Sequence, residues 1–402
     1  FLKGNANINR LKVRASYGIV GNDRVSDGSR FLYLPDSYII SSGNYGFGSS
    51  NDYKLPGAIE SKIGNPNVTW ETASKQNYGV DMHFFDGHLK TSFDYFVEHR
   101  KDILLTRKLD PGYLAVKLPT VNMGKVDNKG FEVTARWEDK IQNVSYYVGT
   151  SWSYAKNKII FQDEIPQPYE WMEQTGRPVG QQFGYVTDGF FSQEDVEKYA
   201  INKGMEGGIP DHNFSPKAGD VKYRDLNGDY KIDVAAIGYP KYPLLTGNMS
   251  LGFSWNGLDF SMVWSGAFKT SRLVSSFYRV PFDTTNNRAL LSYMIKDAWT
   301  PEKGNSSTAP AISFGASKAN NYKDSDLWLR DASYVRLKNI ELGYSFPKQI
   351  VKKMHLGTLR LSVSGYNLLT FDDMGFCDPE SNPDGQAYPL IKVVNFGLKV
   401  GF

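Results

Sequence analysis

The sharpest chemical pattern in the chain is one run of residues, Asp225-Leu226-Asn227-Gly228-Asp229-Tyr230-Lys231-Ile232-Asp233. Side-chain oxygens stand at loop positions one, three, five and nine: Asp225, Asn227, Asp229 and Asp233. That donor set suits a hard Ca²⁺ ion and follows the first part of an EF-hand-type loop. Two departures stand against it. Position six is Tyr230 rather than Gly, although Gly228 can supply the turn, and position twelve is Ala236, so the bidentate carboxylate is missing. The competing reading is an Asx-rich turn closed by side chain to backbone hydrogen bonds. Other chemistry is scarce. His83, His88, His99, His212 and His355 show no ligand spacing, and Asp163-Glu164 and Asp372-Asp373 are adjacent carboxylates in polar stretches. We find no convincing nucleophile elbow, phosphate loop or dinucleotide fingerprint, so no catalysis is expected. The single cysteine, Cys377, excludes an internal disulfide and a Cys-based metal cluster.

The elements that carry this loop are period-two strands. In the last of them Val394, Phe396, Leu398, Val400 and Phe402 fall on one face, and Asn395, Gly397 and Lys399 on the other. Its length suits a tilted transmembrane β-strand of about 9–11 residues better than a sandwich strand of about 5–6. Nine earlier stretches repeat the pattern, for example Leu11/Val13/Ala15/Tyr17/Ile19 against Lys12/Arg14/Ser16. Connections at Asp86-Gly87, Asp139–Gln142, Asn256-Gly257 and Pro347–Gly357 are short, and every one between them is longer. The longest, from Lys156 to about Thr246, holds the Asp-rich loop. It is also expected to hold a short helix at Gln193–Ala200 and a strand pair near Gln182–Asp188 and Val221–Arg224. A further helical stretch is expected at Arg288–Ala298. A phase slip between Leu337 and Ile340 predicts a β-bulge.

Short and long connections alternate as in a bacterial outer-membrane barrel, with short periplasmic turns and long extracellular loops. Trp137, Trp152, Tyr154, Trp255 and Trp264 near strand ends fit an interfacial aromatic girdle. No apolar run is long enough for a transmembrane helix. The net charge of +3 on 402 residues offers no nucleic-acid footprint. The expected fold is therefore an all-β antiparallel transmembrane β-barrel. Ten strands with loops this large predict part of a barrel of about 22 strands, because open edges are not tolerated in lipid. The chain opens F-L-K-G-N without a signal peptide, which for an exported protein implies a processed or partial chain. Residues 1–402 are thus expected to be the carboxy-terminal part of the barrel, with Phe402 in the periplasm.

Several stretches, in order, resemble the carboxy-terminal barrel half of SusC-like TonB-dependent transporters. They are G-N-P-N-V-T-W-E-T from Gly64, F-D-Y-F-V-E-H-R-K-D-I-L-L from Phe93, V-D-N-K-G-F-E-V from Val126 and G-D-V-K-Y-R-D-L-N-G-D-Y-K-I-D from Gly219. D-A-W-T-P-E from Asp297, L-R-D-A-S-Y-V-R-L-K-N-I-E-L-G-Y from Leu329 and V-S-G-Y-N-L-L-T-F from Val363 complete the set. The resemblance implies TonB-dependent import of oligosaccharides, or of oligopeptides, across the outer membrane. It implies a SusD-like surface lipoprotein as lid, a TonB complex acting through an amino-terminal plug, and a dimer of transporter–lipoprotein pairs. An adhesion barrel without transport and a secreted β-rich glycoside hydrolase are the competing readings. Loop aromatics Tyr38, Tyr45, Tyr169, Trp171 and Trp299 are expected to contact ligand, since flat rings stack on sugars and anchor interfaces. The charges Lys12, Arg14, Asp81, Lys90, Asp94, Glu132, Arg136, Arg360 and Lys399 are expected to line the lumen as wall residues bonded to one another, to water or to a plug.

Overall fold

The computed structural model describes residues 7–23, 32–34, 37–40, 44–50, 53–108, 118–283, 290–375, 377–381, 388 and 390–402. Ten long strands dominate it. They are β1 (Ile8–Asn22), β2 (Glu71–Phe84), β3 (Leu89–Leu105), β4 (Val121–Ile141), β5 (Val144–Phe161), β6 (Leu245–Trp255), β7 (Leu258–Phe268), β8 (Tyr334–Ser345), β9 (Thr358–Asp372) and β10 (Val393–Gly401). Each lies antiparallel to the next in one meandering sheet, whose edges are β1 and β10. No described helix is long and apolar enough to cross a membrane.

The turns obey local backbone chemistry. Trp255 pairs with Leu258, so Asn256-Gly257 is a two-residue turn with φ of 46° and 87°. Both angles are left-handed, as a hairpin of this twist requires. The turn expected at Asp139-Lys140 sits slightly later. Asp139 and Lys140 still pair with Tyr146 and Ser145, and the chain reverses at Gln142, φ 53°. The expected bulge is present: Val263 faces Asn339 but Trp264 faces Leu337, which leaves Lys338 unmatched. On the other side β9 absorbs the same irregularity at Asn367, φ 53°.

The two faces of the sheet differ as a membrane wall must. Outward-facing Val13 is 72% exposed and Phe396 82%, a solvent cost only lipid removes. The opposite face is ionic. Arg14 bridges Asp81 at 3.0 Å and Asp94 at 2.8 Å, Lys90 reaches Glu138 at 3.3 Å, and Arg360 holds both Asp259 and Glu341. Glu132 accepts from the Ser153 hydroxyl, so most of the expected lumenal charges are paired within the wall. Trp255 lies beside Val144 at the short-turn end, whereas Trp152 lies beside Gly247, eight residues further along β5. At about 3.3 Å per residue these rings mark two levels roughly 27 Å apart along the strand.

Several strands outrun the bilayer. β4 has 21 residues, about 70 Å of strand, where a tilted span needs about 9–11 residues. Period two alone predicts a connection from Lys101 to about Asp127, but β3 runs on to Leu105 and β4 begins at Val121. A bulge at Lys101-Asp102, with Asp102 at φ 60°, breaks the alternation there while the ladder continues to Leu105.

The two longest connections, 162–244 and 269–333, carry their own elements. Gln182–Tyr185 pairs with Val234–Ile237, and Thr187–Phe190 pairs with Val221–Tyr223. The single strand pair expected there is thus two, because the chain changes partner at Val186, whose carbonyl accepts from Arg224 N–H while Tyr185 N–H donates to Asp324 O. Helix α1 (Gln193–Asn202) starts at a capping box made by Ser192 and Asp195. Of the helix expected at Arg288–Ala298, Ser292–Asp297 is helical, and residues 288–289 lie outside the described residues.

Candidate functional site

The Asp-rich run folds as a tight, self-bonded loop. Asp225 Oδ1 accepts from the backbone N–H of Asn227 and Gly228, at 3.0 and 2.7 Å, and Oδ2 from Tyr230 at 2.7 Å. Asn227 Oδ1 accepts from Asp229 N–H, Asp229 Oδ1 from Lys231 N–H, and Asp233 Oδ2 from Leu226 N–H. Tyr230 takes φ 64°, the position where an EF-hand-type loop places Gly. Ala236 lies in the Val234–Ile237 strand opposite Phe183, so no carboxylate enters from position twelve. Carboxylate oxygens of Asp225, Asp229 and Asp233 nevertheless lie within 4.8 Å of one another. Burial pulls the Asp225 carboxyl upward, but four backbone N–H groups outweigh it and hold its pKa below the ordinary value. Asn227 is tied to the same cluster through Nδ2 to Asp233 Oδ1 at 3.3 Å.

The loop aromatics divide by location. Tyr169 and Trp171 stack with centroids 4.4 Å apart and planes 7° from parallel. Tyr38 and Tyr45 are exposed in the first long connection, where Tyr45 sits edge-on to Phe47. Trp299 is placed differently. It packs against the buried cluster of Phe190, Val221 and Tyr223, so its ring serves the interior of the loops.

Sequence reasoning missed the groups around the upper lumen. Arg100 bridges Glu71 at 2.6 Å and Glu98 at 2.7 Å on the lumenal face. Beside them opens a concavity of about 520 Å³, floored by Asn128, Asn157 and Ile159 and walled by Phe161, Gln162 and Val179. Glu98, Arg100 and Asn128 lie just before the bulge at Lys101-Asp102, where the alternation still holds. Also missed was the polar seam joining the two long connections. The buried Asp220 accepts from Ser317 Oγ and Asn321 Nδ2, and Asn321 Oδ1 accepts from Val221 N–H at 2.8 Å. Partners about a hundred residues apart leave no local signal.

His212 stitches the loop core. Its Nδ1 faces Pro210 O at 2.7 Å and its Nε2 accepts from Tyr223 N–H at 2.9 Å, which defines a neutral ring with the proton on Nδ1. Burial pushes its pKa down to about 4. Above about pH 6.5 folded and unfolded states are both neutral here, so stability is level. As pH falls from 6.5 towards 4 only the unfolded ring takes a proton, and up to about 3 kcal/mol is lost. The protection factor of the Tyr223 amide, which removes the intrinsic slowing of exchange at lower pH, should therefore fall over that interval, and His212→Gln should flatten the dependence.

A meandering sheet with a lipid-compatible outer face, an ionic inner face, aromatic belts and long connections at one end is the wall of an outer-membrane β-barrel. Residues 8–368 match the family model "TonB dependent receptor-like, beta-barrel", and the chain belongs to that family. Curated receptors are similar to it along its whole length. It is 27% identical to TonB-dependent receptor P3 of Formosa agariphila and 25% identical to TonB-dependent receptor SusC of Bacteroides thetaiotaomicron. Both matches cover 100% of this chain, and 40% and 38% of those proteins. The chain therefore spans about two fifths of the length of the curated relatives it matches. Among solved structures it superposes on the RagAB peptide transporter with a TM-score of 0.74 at 19% identity. That match covers 100% of this chain and 41% of that one, and it speaks to the fold. The family is one of receptors and transporters, not of enzymes.

Proposed function

We propose that this chain supplies wall and extracellular loops to a TonB-dependent importer of an oligomeric nutrient, an oligosaccharide or alternatively an oligopeptide. A SusD-like surface lipoprotein would cover the loops, and the TonB complex would act through a plug. Two transporter–lipoprotein pairs would associate as a dimer. One observation carries the reading. The 162–179 segment holds the stacked Tyr169–Trp171 pair and, through Gln162 and Val179, walls the lumenal concavity. A flat aromatic platform and a funnel with a charged side (Glu71, Glu98, Arg100) and an apolar side (Ile159, Phe161) suit an extended ligand entering from outside. RagAB is described as a peptide importer, which keeps peptide cargo as the alternative.

The test is uptake by the full-length transporter with its lipoprotein, using defined oligosaccharides and oligopeptides. Energised uptake of one class is expected, and a Tyr169→Ala/Trp171→Ala double variant should weaken ligand binding roughly ten-fold, about 1.4 kcal/mol. Surface binding with no uptake of any ligand would favour the adhesion barrel.

We further propose that the Asp225–Asp233 loop takes Ca²⁺. The three clustered carboxylates make no ion pair to Lys or Arg among the described residues, and a divalent cation would relieve their repulsion. Asn227 would complete the set, and the ion would stiffen the loop. Calcium should raise the melting temperature of the purified transporter, chelation should reverse this, and Asp229→Asn should abolish the difference. Equal melting with and without calcium in the unmodified protein would refute the assignment.

A further inference from the structure

Arg279, at the end of the short helix Ser276–Arg279, is nine-tenths buried. One edge of its guanidinium is satisfied, with Nη2 on Asp324 at 2.5 Å. The other edge is not: Nε and Nη1 are buried without a hydrogen-bond partner. Leaving buried charged donors unmet costs on the scale of their desolvation, so native proteins supply a partner. Arg279 lines a largely enclosed cavity of about 40 Å³ together with Arg330, Tyr322, Tyr293, Asp297 and Trp328.

The lining explains what would enter. Arg330 spends Nη1 on the carbonyls of Leu327 and Leu329, at 2.7 and 3.2 Å, and makes no salt bridge to a carboxylate among the described residues. Arg279 and Arg330 stand against Asp297 in the lining and Asp324 on Nη2 of Arg279, so the charges balance, but the unmet groups are donors: Arg279 Nε and Nη1 have no acceptor. Burial keeps the Tyr322 hydroxyl protonated well above the usual tyrosine range, which makes it a further donor. A cation is disfavoured by the arginines and an organic ligand by the volume. Water fits, since roughly 10–15 Å³ holds one molecule, but a water must also donate, whereas an anion only accepts and so answers the unmet guanidinium N–H groups.

We propose that this cavity is a resident site for a single small monovalent anion of about chloride's size. It lies within the 269–333 connection, beside the seam that joins this connection to 162–244, and is separate from the lumenal concavity and the Asp-rich loop. Its occupant would tie Ser276–Arg279, Ser292–Asp297 and Leu329–Asp331 together at one point.

Crystals of the intact transporter grown with sodium bromide in place of chloride test this. An anomalous peak between Arg279 and Arg330 is expected, and it should vanish in Arg279→Lys crystals whose fold is otherwise unchanged. Thermal unfolding at equal ionic strength should show a higher midpoint in chloride than in gluconate, which is too large for the cavity. Bromide only at exposed surface arginines and lysines, with water-like density in the cavity, would overturn the proposal. So would a bromide peak that persists at full height in Arg279→Lys.

Discussion

Gly130→Ala should prevent the barrel wall from closing between β4 and β5. A Cβ at Gly130 would lie 2.0 Å from Tyr154 O and 2.9 Å from Ala155 Cα, both backbone atoms of the neighbouring strand, and 2.7 Å from the ring of Phe96. Phe96 can swing away, but a strand in register on both sides cannot. Gly130 faces Phe96 on one side and Ala155 on the other in unbroken ladders. The penalty should reach the top of the overpacking range, about 3 kcal/mol, which is more than a hundred-fold in the folded-to-unfolded ratio. The measurement is the heat-modifiable band shift of outer-membrane fractions. A normal yield of folded Gly130→Ala would show that the strands part more easily than the ladder implies.

The second large effect is expected at Arg336. Its side chain is wholly buried, with Nη2 on Asp378 at 2.6 Å and Nη1 on Glu380 at 2.8 Å. Lys338, the bulged residue, reaches Glu380 at 2.9 Å, and Arg272 Nη1 donates to Ser381 O at 2.5 Å. Segment 377–381 of the last long connection is thereby clamped onto β8. Arg336→Met strands two carboxylates against an apolar stem. Breaking a buried pair from one side typically costs about 3–5 kcal/mol, and partial exposure of the acids argues for the lower end. Most of the loss should be local. Limited proteolysis of intact membranes should cut near 377–381 in the variant and spare the parent, while the barrel band shift stays normal. Equal protection in both would show that Arg272 and Lys338 suffice.

The wall was legible because lipid on one side and a lumen on the other impose a strict period of two. Val394 to Phe402, Leu11 to Ile19 and the Asn256-Gly257 turn all announced themselves that way. Even the slip at Leu337–Ile340 was readable, since a bulge inverts the alternation in a single step. Legibility failed where the alternation stops being enforced. Beyond the bilayer, Lys101-Asp102 and Val121–Asn128 obey no lipid face, so the outer ends of β3 and β4 looked like loop. The site was harder still. Trp299 and Tyr169 are the same kind of signal in sequence, yet one ring is enclosed by Phe190 and Tyr223 and the other stacks on Trp171. Only long-range pairing separates them, as it does Asp220 from the exposed Asp229. The Asp225–Asp233 loop was readable because the hydrogen bonds of the Asp225, Asn227, Asp229 and Asp233 side chains are all local.

The seam between the two longest connections also sets what can be exchanged. Val221 leans on Asn321, Asp220 on Ser317, and Thr187 on Asp326, all across a strand hairpin that belongs to neither connection. Moving either connection alone into another barrel would orphan Asp220 or Asn321 in the interior. The smallest portable cassette is therefore both connections with the β6–β7 hairpin between them, roughly residues 162–333. Recombination within that stretch is penalised, and a joint at Pro347–Gly357 would part Arg272 from Ser381, whereas one at Asp86-Gly87 breaks none of these bonds. The two connections would then be inherited as one block, while the Glu71–Arg100 side of the concavity stays with the wall.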